Sequence, residues 1–332
     1  MKLLSLLSVS IFFSISVLAD QSNSHRPRPD SHGPISVMGD HTHKSGEVMF
    51  SYRYMRMNMD GNLSGSSTIS TAEILEDFMV TPTSMEMDMH MAGMMVAVSD
   101  RLTLSSMISY IESRMDHQTR AGGTFTTAAS GLSDLQLAGL IDFFHSDHHQ
   151  LILNTGVSLP TGSINKTDDT PAAEDAILPY PMQLGSGTVD LKPGLTLLSS
   201  CDSWSMGLQG MGTIRLGRNS ADYALGDRFD SDLWAGYVVT DNLSLSVRSG
   251  WSIWGNIDGA DPRLNPAVVP TADPSLRGGR KVDIGVGINT LLPTPAGSFR
   301  LAGEFAIPLY QNLNGPQLET DWEFTLGIQA AF

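Results

Sequence analysis

Apolar and polar residues alternate one by one over much of this chain, and the C-terminal segment shows the pattern most clearly. From Trp322 to the final residue, Phe332, every second residue is apolar, and the residues between them include Glu323, Thr325 and Gln329. Successive side chains of a β-strand point to opposite faces, so the pattern predicts a strand with one apolar and one polar face. A membrane barrel has such strands because its outer face contacts lipid and its inner face is polar. A soluble amphipathic strand has a similar pattern, so the rest of the chain must decide.

Eleven further segments repeat the alternation, which brings the number of predicted strands to twelve. They cover residues 47–59, 85–98, 102–110, 134–143, 150–159, 189–197, 204–216, 229–239, 243–253, 281–292 and 299–310. The connections are alternately short (99–101, 145–149, 199–203, 240–242, 293–298) and mostly long (60–84, 112–133, 161–187, 217–227, 255–280, with 311–320 shorter). A bacterial barrel has turns on its periplasmic side and longer loops outside. We therefore predict an all-β fold, a transmembrane antiparallel up-and-down β-barrel of about 12 strands, over residues 47–332.

The first 19 residues have the features of a cleaved signal peptide. Lys2 is followed by an apolar stretch, and Val17 and Ala19 place small residues before a cleavage point at Asp20. The alternative, a single anchoring helix, needs about 20 apolar residues, which is more than this stretch provides. Residues 20–46 are polar and contain proline and serine, so we predict a flexible periplasmic N-terminal segment.

Composition and motifs exclude several classes of function. The formal net charge is −15, which argues against nucleic-acid binding because phosphates require Lys and Arg. Cys201 is the only cysteine, so the exported chain has no internal disulfide. Ser158 and His90 could serve as a nucleophile and a base, but no motif pairs them and GxSxG does not occur. We therefore predict that the protein is not an enzyme.

Charged residues of both signs fall on the polar face of the predicted strands. An Arg or Lys facing lipid at the bilayer midplane costs about 2–4 kcal/mol, so these side chains should point into the lumen. They either line a water-filled path or pair across strands and fill a closed barrel; we favour a narrow, charge-lined pore. The lumen-lining candidates are Arg53, Asp134, Asp142, Asp190, Lys192, Arg215, Asp230, Asp232, Arg248, Asp283, Arg300, Glu304 and Glu323, with Lys281 on the same face.

Methionine is concentrated in one region, since thirteen of the eighteen lie between Met49 and Met115. Alternate methionines on a strand form a row of thioethers, which suit Cu(I), and histidines nearby extend this to Cu(II). The candidate copper ligands are Met55, Met57, Met59, Asp88, His90, His41 and His43.

The second Met-rich strand has an ambiguous orientation. Its acidic residues and His90 should avoid lipid, which turns the alternate methionines outward unless Gly93 marks a bulge. The methionines expected to face outward are Met85, Met87, Met89 and Met91. In that case they are flexible apolar surface facing lipid rather than metal ligands.

Several segments resemble one bacterial outer-membrane family, the phenol-degradation meta-pathway type of transporter. They are residues 38–47, 51–55, 115–117, 158–163 and 180–188. The resemblance spans most of the mature chain and implies a channel or transporter for small solutes, aromatic compounds or metal-related ones among them. The alternative function is a closed barrel that binds copper or a surface partner.

The expected location is the bacterial outer membrane, with both termini in the periplasm and with lipid and lipopolysaccharide around the barrel. The terminal aromatic of the last strand, Phe332, resembles the signal that the barrel assembly machinery recognises. The other expected partner is a small-molecule solute.

Overall fold

The structure, a computed structural model, describes residues 28–294 and 297–332. The predicted signal peptide lies outside the described residues. The described chain is an antiparallel all-β barrel, which confirms the predicted fold class. No helix in these two ranges is long and apolar enough to cross a bilayer.

Seventeen strands occur in the described residues, and most are long enough to serve as barrel strands. They are β1 (Val48–Gly65), β2 (Ser67–Ile69), β3 (Val80–Ser99), β4 (Leu102–Thr119), β5 (Thr124–Leu132), β6 (Leu135–His145), β7 (His149–Leu159), β8 (Thr167–Thr170), β9 (Ala173–Ile177), β10 (Val189–Cys201), β11 (Trp204–Leu216), β12 (Tyr223–Ala224), β13 (Arg228–Thr240), β14 (Leu243–Trp254), β15 (Asp258–Gly259), β16 (Gly279–Thr294) and β17 (Gly297–Ala331).

The barrel closes where the last strand meets the first. Its strand order is β17-β16-β14-β13-β11-β10-β7-β6-β4-β3-β1, and β1 also pairs with β17. Strand β2 adds to the edge of β1, and β5 pairs with the outer part of β4, so both lie outside the closed ring.

Strand β17 occupies two positions in the barrel wall. Its first half pairs with β16 and its second half with β1. The two halves contact each other, because the Gln311 amide exchanges two hydrogen bonds with the Thr320 backbone and Phe305 stacks on Trp322. All twelve predicted segments therefore lie on the eleven closed-ring strands, and the prediction of about twelve strands is confirmed.

The outer face of the barrel is apolar, as the alternation predicted. Large side chains such as Phe50, Leu195, Leu245, Val286 and Phe305 are about half exposed. Their neighbours along each strand point inward, where Thr196, Ser244 and Ser246 are buried. An exposed belt of this kind suits a lipid environment and would cause association in water.

The short connections lie at one end of the barrel, the turn end, and the long ones at the other, the loop end. At the loop end the connections pack against one another: Met85 and Met115 contact Leu178, Met182 and Leu184 of the connection between β7 and β10. A second cluster joins Ile164, Tyr180, Ala221, Tyr223 and Ile257 from three connections.

Short helices also occur in the loop-end connections. Helix α1 (Thr71–Asp77) begins at a capping box in which the Ser70 and Glu73 side chains each bond the other's backbone. Three short 3₁₀ helices cover Tyr180–Met182, Pro270–Ala272 and Pro274–Leu276. The connections therefore form an ordered cover over the loop end.

Residues 28–46, which we call the N-terminal plug, lie inside the barrel at the turn end. Ile35 is 1% exposed, and a Cβ added to Gly327 of the barrel wall would lie 2.7 Å from its Cδ1. Barrel side chains donate to plug carbonyls: Arg300 Nη2 to Gly33 at 2.5 Å and Gln209 Nε2 to Met38 at 3.0 Å. The prediction of a flexible segment over 20–46 is therefore wrong for residues 28–46, and residues 20–27 lie outside the described part. The polar plug is ordered because the polar lumen supplies the hydrogen-bond partners that it would otherwise find in water.

Candidate functional site

A cavity of about 880 Å³ lies between the plug and the loop-end cover. Its volume falls within the range of roughly 300–1,000 Å³ that is typical of small-molecule pockets. Residues 35–39 and His41 of the plug border it at the turn end, and Pro181, Thr271 and Arg277 border it at the loop end. The barrel wall between them has two chemically different sides.

One side of the cavity is a wall of thioethers on β1, β3 and β4. Directly opposed residues of β1 and β3 form three successive methionine pairs: Met55 with Met89, Met57 with Met87 and Met59 with Met85. All six line the cavity, as do Met91 of β3 and Met107 and Met115 of β4. We call this surface the methionine wall. Opposed residues on antiparallel strands have Cβ atoms about 4.5–5.5 Å apart, so the sulfur atoms form a continuous surface.

The orientation that we expected for the second Met-rich strand is wrong. Met85 and Met91 are 2% and 7% exposed, and Met87 and Met89 also line the cavity. The acidic residues and His90 point outward instead, an orientation that is costly where it faces lipid. The strands β1, β3 and β4 are 18 to 20 residues long, about twice the 9–11 that span a bilayer, so outward charges on their outer parts can face water.

The outward charges also have partners on the outer surface. Tyr54 donates to Asp88, Tyr52 Oη lies 2.7 Å from His90 Nδ1, and Arg56 forms a 2.8 Å ion pair with Glu86. In the first Met-rich strand, Met49 and Met55 face inward, and Met57 and Met59 continue towards the loop end.

The side across from the methionine wall carries most of the charge, on strands β13, β14 and β16. Arg248 lies within 2.7–2.8 Å of three carboxylates, those of Asp232, Asp283 and Glu304. Lys281 contacts Glu323, and Arg228 contacts Asp230 at 2.7 Å. Buried charges of opposite sign are placed together because each would be costly to bury alone.

Three cations that line the cavity have no carboxylate in contact among the described residues. Arg53 Nε and Arg277 Nη1 are buried without a hydrogen-bond partner in the described ranges, and Lys192 Nζ donates to the amide oxygen of Gln136 at 2.9 Å. Arg277 lies in the loop-end cover, where burial lowers the pKa of its guanidinium to about 10. These three side chains offer positive charge to a molecule in the cavity.

The thirteen lumen candidates divide into cavity-lining residues and residues that hold other parts of the chain. Those that line the cavity are Arg53, Lys192, Asp230, Asp232, Arg248, Asp283 and Glu323. Arg300 and Glu304 hold the plug, through Gly33 and Ser36 respectively.

The remaining four candidates lie near the two ends of the barrel. Asp134 accepts from the Gly162 and Ser186 backbones and so ties the connection between β7 and β10 to β6. Asp190 pairs with Arg215, and Asp142 accepts from Gln150. Sequence reasoning selected these residues by strand parity alone, which does not separate these roles.

The candidate copper ligands are not brought together. Met55, Met57 and Met59 lie in the methionine wall, Asp88 and His90 face outward, and His41 and His43 belong to the plug. Sequence reasoning missed Arg228, which has the same inward parity as Asp230 and Asp232 and could have been found from it. It also missed Arg277, because a residue in a long connection carries no parity.

Residues 28–290 of the chain match a protein-family model described as "Putative MetA-pathway of phenol degradation". The chain belongs to this family. The match confirms the resemblance seen in the sequence, and it includes the plug as well as most of the barrel. A comparison with curated proteins found no significant match.

Solved structures similar to this chain are outer-membrane barrels. An outer membrane channel from Pseudomonas putida F1 has 18% identity and a TM-score of 0.61, over 88% of this chain and 98% of that one. The NanC porin has 9% identity and a TM-score of 0.40, over 86% and 98% of the two chains. OmpT of Vibrio cholerae has 9% identity and a TM-score of 0.38, over 88% and 99%. The first of these supports the barrel fold of this family member.

Proposed function

We propose that this family member is an outer-membrane channel for small amphipathic organic solutes that carry a negative charge, such as aromatic acids. The observation that carries the proposal is the two-sided cavity, in which the methionine wall faces a charged side and uncompensated cations. The family's description in terms of phenol degradation and the channel from Pseudomonas putida F1 agree with it.

Each side of the cavity suits one part of such a solute. Thioethers make favourable contacts with aromatic rings, worth about 0.3–1.5 kcal/mol each. Arg53, Lys192 and Arg277 can donate charge-assisted hydrogen bonds to a carboxylate or phenolate, which are stronger than neutral ones. Several weak sites in series allow a solute to enter and also to leave, as transport requires.

The net charge of the cavity wall favours the binding of anions, although the chain as a whole carries a negative net charge. Among the described residues that line the cavity, six cationic side chains stand against four carboxylates. Glu304 does not line the cavity but contacts Arg248 at 2.7 Å, which reduces the excess to one positive charge. The cations are Arg53, Lys192, Arg228, Arg248, Arg277 and Lys281, and the carboxylates are Asp230, Asp232, Asp283 and Glu323. The charge of −15 in the whole sequence belongs mainly to residues elsewhere.

The test is solute flux and ion selectivity in reconstituted membranes. We expect a reversal potential that favours chloride over potassium in planar bilayers. We also expect the protein to increase the entry of benzoate into liposomes, relative to protein-free liposomes, by a larger factor than the entry of benzyl alcohol. The double variant Lys192→Gln/Arg53→Gln should reduce both preferences. Arg114→Gln, on the outward face of β4, is the matched control and should leave both unchanged. A barrel that gives no discrete channels, or one that prefers cations, contradicts the proposal.

A second candidate function, a closed barrel that binds copper, is favoured by the three cross-strand methionine pairs. Paired thioethers supply the soft ligands that select Cu(I). Its test is titration of Cu(I) into the protein with Met55, Met57 and Met59 all changed to Leu. Met206→Leu, which removes an outward thioether, is the control. Unchanged Cu(I) binding in the triple variant rules out this site.

We also propose that the apolar outer belt contacts outer-membrane lipid and lipopolysaccharide, with both termini on the periplasmic side. The support is the exposed apolar belt together with the short connections at the end that holds Phe332 and the plug. A protease added to intact cells should then cleave only loop-end connections.

A further inference from the structure

Three side chains of the plug converge at one point. The nearest ligand atoms of His32, Asp40 and His41 all lie within 4.8 Å of one another. His32 Nδ1 is 3.2 Å from His41 Nδ1, and His41 Nδ1 is 2.7 Å from Asp40 Oδ1. Ligand atoms on a tetrahedral ion with bonds of about 2.0–2.1 Å are separated by a similar distance, so the two imidazoles already have nearly the spacing that an ion requires.

The converging atoms of His32, Asp40 and His41 have more lone pairs than there are N–H groups to donate hydrogen bonds to them. A neutral imidazole carries one N–H, and an ionised carboxylate carries none. If His41 Nδ1 donates to Asp40, it presents no lone pair to His32 Nδ1, so one of the two short contacts lacks a proper hydrogen bond. His41 Nε2, on the other side of the ring, is buried without a partner in the described ranges. A cation between His32 Nδ1, His41 Nδ1 and Asp40 Oδ1 would accept a lone pair from each of these three atoms, and the proton of His41 would then lie on Nε2.

The surrounding backbone holds the carboxylate in a fixed position. The Gly33 amide donates to Asp40 Oδ2 at 2.6 Å, which leaves Oδ1 directed at the histidines. Gly39 has a φ of +68°, and its carbonyl accepts from Asn154 of the barrel wall. Only a residue that tolerates this left-handed conformation allows the chain to turn here and bring residue 40 back to residue 32.

The donor types also suit a metal ion. Divalent transition metals bind neutral imidazole nitrogen and carboxylate oxygen, and the three converging side chains supply two of the first and one of the second.

Other charged groups face the cluster and weaken it as a cation site without removing it. Arg300 donates to the Gly33 carbonyl, and Arg53 is close enough to interact with Asp40. His43 lies beside His41, with ring centroids 4.9 Å apart, and its Nδ1 contacts Glu47 at 3.3 Å. Asp40 therefore lies among two arginines of the barrel wall and the rings of His32, His41 and His43.

We propose that His32, Asp40 and His41 bind a divalent transition-metal ion, Cu²⁺ more tightly than Zn²⁺. Two imidazoles and one carboxylate suit both ions, and the Irving–Williams order places Cu²⁺ first. The ion would join both ends of the turn formed by residues 32–41 and so fix the plug in the lumen. This site is separate from the methionine wall, which would take Cu(I), and it does not depend on the proposed channel function.

The test is Cu²⁺ binding to the purified full-length mature barrel in detergent, followed by calorimetry and electron paramagnetic resonance. We expect one tight equivalent whose spectrum shows coupling to two imidazole nitrogens, and weaker binding of Zn²⁺. His32→Ala and Asp40→Asn should each weaken Cu²⁺ binding at least tenfold. His148→Ala, in the exposed turn between β6 and β7, is the matched control and should not affect it.

Folding of each variant is checked separately, by the shift in electrophoretic mobility on heating that folded barrels show. His32→Ala is the mildest change because His32 is partly exposed and its side chain bonds only to His41 among the described residues. Tight one-equivalent binding that persists in folded His32→Ala and Asp40→Asn overturns the proposal. So does a spectrum with no nitrogen coupling, or tighter binding of Zn²⁺ than of Cu²⁺.

Discussion

Ile35 is the most deeply buried apolar side chain of the plug, and its truncation should open the channel. The side chain is 1% exposed and packs on the backbone of Gly327 in β17. The plug is also held by the buried Val37 and by hydrogen bonds, whose net contribution is about 0.5–1.5 kcal/mol each. Truncation of a buried Ile to Ala costs about 2–5 kcal/mol, and the lower end applies here because the plug can relax.

The expected change in gating follows from that energy. About 2 kcal/mol corresponds to roughly a 30-fold increase in the ratio of open to plugged barrels, since each 1.4 kcal/mol is tenfold. Ile35→Ala should therefore raise the single-channel open probability in planar bilayers by up to this factor. Ile35→Val, which costs about 0.5–1.5 kcal/mol, should give an increase of roughly 2- to 10-fold.

Gly327→Ala provides an independent perturbation of the same contact. Its new Cβ would lie 2.7 Å from Ile35 Cδ1, closer than real contacts allow, so it should also push the plug out. In the double variant Ile35→Ala/Gly327→Ala, the Ile35 atoms that would clash are absent, and the methyl group added at residue 327 partly fills the space that they leave. The change in open probability of the double variant, expressed as a free energy, should thus be smaller than the sum of the changes in the two single variants. A double-mutant cycle measures this coupling. If all three variants have the open probability of the unmodified protein, the plug does not limit conduction and the reasoning is refuted.

Three further predictions concern stability and assembly. Arg248→Met leaves Asp232, Asp283 and Glu304 without their shared cation and should lower the free energy of unfolding, measured by urea titration, by about 3–5 kcal/mol. The control Arg218→Met breaks the exposed pair with Asp258 and should lower it by less than about 1 kcal/mol. Equal effects of the two variants would contradict this prediction. At the loop end, burial opposes the charge on Asp261, but the Arg263 side chain lowers the pKa of its carboxyl. A depressed pKa contributes stability that is present above the ordinary value and is lost as pH falls through the folded value. The protection of amides in 255–280, measured relative to the intrinsic exchange rate at each pH, should therefore fall in acid, and Asp261→Asn should abolish that dependence. Phe332→Ala should reduce assembled barrel in outer-membrane fractions, whereas Phe143→Ala, an exposed aromatic near another turn, should not.

The sequence was sufficient for the barrel because period-two alternation depends only on local parity. From Trp322 to Phe332 one parity is apolar and the other mostly polar, so a single orientation puts apolar residues in lipid. Around Met87 and Asp88 neither parity looks typical of lipid or of a polar lumen, so orientation there depends on how far the strand extends beyond the bilayer. That length follows from pairing with β1 and β4, which no local pattern contains.

The plug was missed for a different reason. Its polar composition is typical of disordered segments, whose apolar content is too low to offset the entropy of ordering. What orders it is the barrel, including Glu304, which accepts from Ser36 across 268 residues of sequence. The site of His32 and Asp40 went unnoticed with it, since residues 32 and 40 meet only when the chain turns at Gly39.

The position of the plug also bears on the order of events during folding. The plug contacts Thr103 near the start of β4 and Arg300 and Glu304 in β17. It can therefore dock only after strands from both ends of the chain have formed. Contacts between such distant residues form late because the intervening chain loses much entropy when its ends meet. The plug ends at residue 46, just before β1 begins at Val48, and it lies at the turn end, so it need not be threaded through a finished ring. Closure of β17 on β1 and docking of the plug should therefore be a single late event, and a barrel that conducts freely in the first moments after insertion should become quiet as that event completes.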